Sequence, residues 1–191
     1  MAGYLLDAVA AELAGKIRQP LGLDYAFGRA ERLLRLNADG KRIYTANIYD
    51  PNSGGVNDYS ELMPSDALGN YAFFFVHDPQ EVADTENVSV GISATMSLIM
   101  WFDCRRLFAA LNVRSRDEVK ALVLDVLNGG VTLRRGRFRV RKVYELAENI
   151  WRGFSYDEID NQFLMHPYCG FRFEGAAEIS ENCHEFARNY N

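Results

Sequence analysis

The sequence predicts an α+β fold: a mainly antiparallel sheet with one very long strand at about 87–102 and two main helices, about 3–18 and 115–127, packed on one face. Three observations carry that expectation. The stretch Asn87–Phe102, NVSVGISATMSLIMWF, places Val88, Val90, Ile92, Ala94, Met96 and Leu98 on one parity and Ser89, Gly91, Ser93, Thr95 and Ser97 on the other. Strict alternation over that length is the mark of a strand with one buried and one wet face. Leu5, Leu6, Val9, Leu13 and Ile17 make one apolar stripe at helical spacing, and Val119, Leu122, Val123, Val126 and Leu127 make another. The order of elements, helix, hairpin, two long strands, helix, strand, short helix, strand, is that of an α+β chain.

Taken in order, the first helix is stopped by Pro20. Glu31–Asn37 and Lys41–Tyr49 read as a hairpin closed by Asn37-Ala38-Asp39-Gly40, with Gly40 suited to a left-handed position. Residues 50–66, DPNSGGVNDYSELMPSD, read as a long loop of the kind that is functional or mobile. Tyr71–Val76, YAFFFV, is a continuous apolar run fit for a central strand, stopped by His77-Asp78-Pro79. The acidic segment Glu81–Glu86 leads into the long strand. From Ile99 to Phe102 both parities turn apolar, so that end is expected to be covered on both sides. At about 3.3 Å per residue the strand spans about 50 Å, more than twice an ordinary strand. It is therefore expected either to bend near Gly91 or to project past its own sheet.

Asp103–Arg106 leaves the strand with polar residues, and Leu107–Leu111 reads as a short helical turn. In the second helix Ser115 is the expected N-cap, with Glu118 completing a capping box and Asn128-Gly129-Gly130 as the stop. Arg134, Arg135, Arg137, Arg139, Arg141 and Lys142 form a basic run interleaved with Phe138 and Val140, and Phe138–Tyr144 reads as a strand followed by an amphipathic stretch to Trp151. Ser155 with Glu158 is a second capping box, opening a short helix through about Phe163. Gly170–Ile179 is the closing strand, with Gly175 a candidate bulge, and residues 180–191 read as a polar tail. The whole chain, 1–191, reads as a single domain.

Composition narrows the function classes. A hydrophobic fraction of 48% and a charged fraction of 25% are those of an ordinary globular protein, and a net charge of −5 argues against a free nucleic-acid binder. Cys104, Cys169 and Cys183 have no framework spacing, which suits a reducing, cytoplasmic setting. The opening MAGYLLDAVAAELAGK carries Asp7 and Glu12 and no basic leader, so no signal peptide is expected. No stretch reaches the roughly 18 charge-free apolar residues of a membrane span.

A search for chemistry finds little. A zinc site would need His166, Cys169, Cys183 and His184 to converge, without the usual paired-ligand spacing. Cys104 would be a nucleophile only if its strand brought it to His77. Neither NSGGV nor LNGGVTLRRGR has the grammar of a phosphate loop. Asp157, Glu158 and Asp160 suit a helix N-terminus better than a catalytic pair. The basic run suits phosphate, an acidic partner or a solvated strand face. No catalytic residue, metal ligand or cofactor is therefore expected. Trp151, Phe154 and Tyr156 are aromatic types favoured both at interfaces and in cores.

The order of a leading helix, a meander with one very long strand, a helix at 115–127 and a final pair of strands resembles the tail terminator and head–tail completion proteins of long-tailed phages and prophages. The closing segment AENIWRGFSYDEIDNQFLMHPYCGFRFEG is also similar to a prophage structural-module protein. The resemblance implies a non-enzymatic virion subunit that forms a ring, commonly a hexamer, on the tail tube, assembling in the cytoplasm against tail-tube and head–tail connector proteins. DNA would be met only in passage through the channel, and no membrane would be involved. The expected interface residues are Arg137, Arg139, Arg141, Trp101, Trp151, Phe154 and Tyr156. The competing expectation is a small cytoplasmic enzyme or ligand-binding α+β domain with a pocket under the 50–66 loop.

Overall fold

A computed structural model describes residues 6–50, 58–85, 89–107, 116–129, 133–134 and 136–182. In chain order the elements are α1 (Leu6–Ile17), β1 (Tyr25–Arg29), β2 (Glu31–Leu36), β3 (Arg42–Tyr49), β4 (Tyr59–Glu61), β5 (Tyr71–Val76), β6 (Glu81–Thr85), β7 (Ser89–Asp103), α2 (Cys104–Leu107), α3 (Arg116–Gly129), β8 (Gly136–Tyr144), α4 (Ala147–Ile150) and β9 (Tyr168–Asn182). Two short 3-10 turns, Tyr156–Glu158 and Asn161–Leu164, lie between α4 and β9. The fold is α+β and its sheet is mainly antiparallel.

The main sheet runs β1-β5-β7-β9-β8, with β6 also on β7, and only β1–β5 is parallel among its pairings. The long strand neither bends out of register near Gly91 nor overshoots. It pairs with β9 from Ser89↔Asn182 to Asp103↔Tyr168 without a shift. On its other side β6 pairs with Ser89–Ser93 and β5 with Met96–Trp101. Its length is thus absorbed by an equally long partner, which extends into the expected polar tail as far as Asn182; residues 183–191 lie outside the described residues.

Parity then sorts the two faces. Ala94, Met96, Leu98, Met100 and Phe102 of β7, with Phe171, Phe173, Ala177 and Ile179 of β9, form one core with Leu6, Val9, Leu13 and Ile17 of α1 and Val119 and Val123 of α3. Both long helices therefore cover the same face, as the apolar stripes predict. The opposite face carries Ile99 and Trp101, packed with Tyr71, Phe73, Ile150, Trp151, Phe154, Ile159 and Phe163. Trp101 lies directly over Gly170, its register partner, where any Cβ would strike the indole. Both indole N–H groups, of Trp101 and Trp151, are buried without a hydrogen-bond partner.

A second sheet, β2-β3-β4, sits on that face. Its hairpin is closed as expected: Asn37 Oδ1 accepts from the Asp39 and Lys41 amides at 3.1 and 2.9 Å, and Gly40 takes φ +74°. The long loop is shorter than predicted because Tyr59–Glu61 pairs with Asn47–Tyr49; residues 51–57 lie outside the described residues. Ser155 does not cap a helix. Its Oγ accepts from the Tyr44 amide and its own amide donates to the Tyr44 carbonyl, which extends the edge of β3. Asp160 caps the second 3-10 turn instead, accepting from Gln162 N. The bulge falls not on β9 but on β8 between Val140 and Lys142, opposite Gly175, where a Cβ would meet the Arg139 carbonyl. Among the described residues no helix is long and apolar enough to cross a membrane. The Ser115 cap, Gly130 and residues 108–111 lie outside the described residues.

Candidate functional site

The site begins with a charge that cannot reach water. Arg172 of β9 faces away from the helices, and its residue is fully buried. Donors on a buried guanidinium demand acceptors, and the fold supplies them for four of its five N–H groups. Nη1 donates to the carbonyls of Ile150 at 3.2 Å and Arg152 at 2.9 Å, Nε donates to Ser97 Oγ at 2.9 Å, and Nη2 donates to His77 Nε2 at 2.8 Å. A guanidinium only donates, so His77 Nε2 is an acceptor and the ring carries its proton on Nδ1. Ser97 Oγ also lies 2.8 Å from the same ring nitrogen. Two residues further along β9, Glu174 accepts from Arg152 at 2.5 Å and from Tyr144 Oη at 3.4 Å, with Arg172 Nε 3.9 Å away.

The electrostatics follow. Burial, reinforced by the charge of Arg172, holds His77 below its ordinary value and so keeps it neutral. Burial, with Arg152 nearby, also brings Arg172 down to about 10, which leaves it charged at neutral pH. The Arg152–Glu174 pair is a short charge-assisted hydrogen bond between a half-exposed guanidinium and a buried carboxylate, while Arg172 stands 3.9 Å from the same carboxylate.

This network forms one wall of a cleft of about 580 Å³. Its floor is made of small residues of the two central strands, Ser93, Ala94, Thr95, Gly175 and Ala176. The bulge in β8 brings both Arg141 and Lys142 to the rim, facing Asp78 and Glu81 on the β5–β6 side. Neither Arg141 nor Lys142 has an ionic partner among the described residues, whereas Arg137 is paired with Glu178. The cleft is lined by both signs of charge, the cations Arg141, Lys142 and Arg152 against the carboxylates of Asp78, Glu81, Glu174 and Glu178. It does not present Ser97 for nucleophilic attack, because that side chain is fully buried and its oxygen is held by Arg172.

The sequence-predicted residues separate into two sets. Arg137, Arg139 and Arg141 lie on the exposed face of β8, and Tyr156 is 37% exposed. Trp101, Trp151 and Phe154 are 4%, 0% and 7% exposed: they fill the second core and offer no interface surface on this chain. Cys104 and His77 do not meet, since His77 donates its amide to Thr95 near the middle of β7 while Cys104 follows its far end. His166 is exposed and Cys169 is buried against Cys104; Cys183 and His184 lie outside the described residues. Among the described residues no three His, Cys, Asp or Glu side chains form a metal-binding group. Beside Asp66–Gly69 lies a smaller hollow of about 270 Å³, where Asp24 and Arg106 are already paired at 2.7 Å. Sequence reading missed His77, Ser97, Arg172 and Glu174 as a unit. The signal was there in R-F-E at 172–174, two charges on one parity of a strand otherwise rich in Phe, Gly and Ala. No protein-family model matches this chain, and no curated protein matches it.

Proposed function

We propose that this chain is a structural subunit of a long-tailed phage or prophage particle, a tail terminator or head–tail joining protein that forms a ring on the tail tube. The observation that carries the reading is a pair of open sheet edges of unlike chemistry on opposite sides of one chain. At one edge of the main sheet stands β8, with Arg137, Arg139 and Arg141 exposed. At the other edge stands β1, which runs through Ala30 straight into the β2–β3 hairpin. That hairpin exposes Leu34, Leu36 and Tyr44, with Leu34 directly opposite Tyr44 and the Arg32 guanidinium 3.8 Å from the Tyr44 ring centre. Among the described residues strand β2 pairs on one side only, and an open apolar edge is a template for another chain. Two unlike patches on opposite edges favour a head-to-tail contact, which closes into a ring when the rotation permits. A net charge of −5 suits a channel that DNA traverses without adhering.

The test starts with the genes beside this one, which are expected to encode a portal, a capsid protein, a tail tube or a tape measure; metabolic or regulatory neighbours would overturn the reading. The neighbouring tube protein is then polymerised with and without this chain and imaged by electron microscopy. Wild-type protein is expected to cap tube ends and stop growth. Leu34→Ser/Leu36→Ser and Arg139→Glu/Arg141→Glu variants with unchanged circular dichroism are expected to lose that activity, and retention by both would overturn the edge argument.

The cleft favours a second reading, a ligand-binding α+β domain. A rise in thermal stability with small di- or tricarboxylates, lost in Arg141→Ala/Lys142→Ala, would support it.

A further inference from the structure

The end of the central ladder holds two sulfurs that nothing above employs. Cys169 is the second residue of β9 and faces Phe102 in register. Cys104 follows β7 directly, opens α2 and is buried in the same core as Phe102 and Cys169. The two side chains meet diagonally across the strands, with Sγ atoms 3.0 Å apart, about one ångström beyond a covalent sulfur–sulfur bond. The backbones are tied at the same place, since the Cys104 amide donates to the Pro167 carbonyl at 3.0 Å. Both residues are buried, 3% and 2% exposed, so a small reagent is needed to reach them.

We propose that Cys104 and Cys169 form a dithiol that hydrogen peroxide converts to an intramolecular disulfide. The hydrogen bond shared by the two sulfurs, helped by the Arg116 charge, holds the Cys104 thiol below its ordinary value against burial and Asp103, whereas the same bond and burial hold Cys169 above its own. With Cys104 attacking and Cys169 resolving across the 3.0 Å contact, the bonds change as follows. Cys104 Sγ bonds to one peroxide oxygen, the O–O bond breaks, and the departing hydroxide takes up the thiol proton as water. Cys169 Sγ then bonds to Cys104 Sγ, the S–O bond breaks, and the leaving hydroxide takes the Cys169 proton as a second water. Two thiols and one peroxide give one disulfide and two waters, so the peroxide is the oxidant and electrons balance. The product links residues 65 apart in sequence and fastens the far end of β7 to the start of β9.

The experiment uses the whole chain as Cys183→Ser, exposed to hydrogen peroxide, unfolded in alkylating reagent and counted for thiols with and without prior reduction. The expected result is a fall from two thiols to none, full recovery on reduction, a mass loss of two hydrogens, and one linked peptide pair containing Cys104 and Cys169. The oxidised form is expected to melt several degrees higher than the reduced form. In Cys169→Ser the remaining Cys104 is expected to gain oxygen rather than lose hydrogen. Two thiols persisting after peroxide, or oxygen addition without loss of hydrogens in Cys183→Ser, would overturn the proposal. So would a bond from Cys183 to either residue as the main wild-type product.

Discussion

On the helix side of the β7–β9 ladder Leu98 meets Phe173 and Met100 meets Phe171, while one residue along, on the other side, Ile99 faces Arg172 and Ser97 faces Glu174. The backbone hydrogen bonding is the same; the chemistry is not. Apolar packing on the helix face is additive, each side chain contributing the area it removes from water. The polar face is conditional: Arg172 is tolerable only because Ser97, His77 and two carbonyls all point at it. A small loss on the first face should be a small loss of stability. On the second face it strands a charge.

The strongest way to break that comparison is to truncate one residue from each side. Arg172→Ala is expected to destabilise the fold by about 3–5 kcal/mol, because it leaves buried Ser97, His77 and the carbonyls of Ile150 and Arg152 without their donor. Phe173→Leu, one residue away, is expected to cost only about 1 kcal/mol. Urea titrations of the two variants compare them directly, and equal costs would mean that the polar face is no more conditional than the apolar one. Gly175→Ala comes next. Its new methyl group meets the Arg139 carbonyl across the β8 bulge, so about 1–3 kcal/mol should be lost and the rim residues Arg141 and Lys142 displaced. The same titration, with hydrogen exchange at β8, reads that effect.

The smallest effect is a dependence on pH that only the polar face should show. Burial and the Arg172 charge keep the folded-state pKa of His77 below the unfolded value. As pH falls, the unfolded chain takes up a proton before the folded one does. The contribution of His77 is therefore intact above the unfolded pKa of about 6.5 and lost as pH falls toward the folded value. The melting temperature should decline as pH falls through about 6.5, and His77→Gln should flatten that decline.

Much of the helix face was legible in the sequence. The alternation from Ile92 to Leu98, the apolar run at 71–76 and the described members of the two helical stripes each place side chains where the structure has them; Leu5, Asn87 and Val88 lie outside the described residues. β9 was underestimated at its ends: Ser180, Glu181 and Asn182 read as the start of a polar tail, and Tyr168 and Cys169 lie before the glycine that seemed to open the strand. β1, β4 and β6 escaped because five, three and five residues are too few to carry a period of their own. Trp151 and Phe154 were assigned to an interface because surface and core draw on the same aromatic types; burial, not identity, decides between them. The polar cluster was illegible for a further reason. It gathers residues 77, 97, 172 and 174, and only the strand register brings them together.

That register also fixes when the chain can finish folding. The β7–β9 ladder joins residue 103 to residue 168 at one end and residue 89 to residue 182 at the other. A ribosome therefore releases β7, with β5 and β6 already available to one of its edges, well before it makes the strand for the other. Through that interval the other edge of β7 waits open and uncovered, and the closing step must recruit the last described strand across a large loop. Folding should be slow for a chain of this size, and a nascent chain stalled before residue 168 should be prone to associate through β7 rather than to remain monomeric.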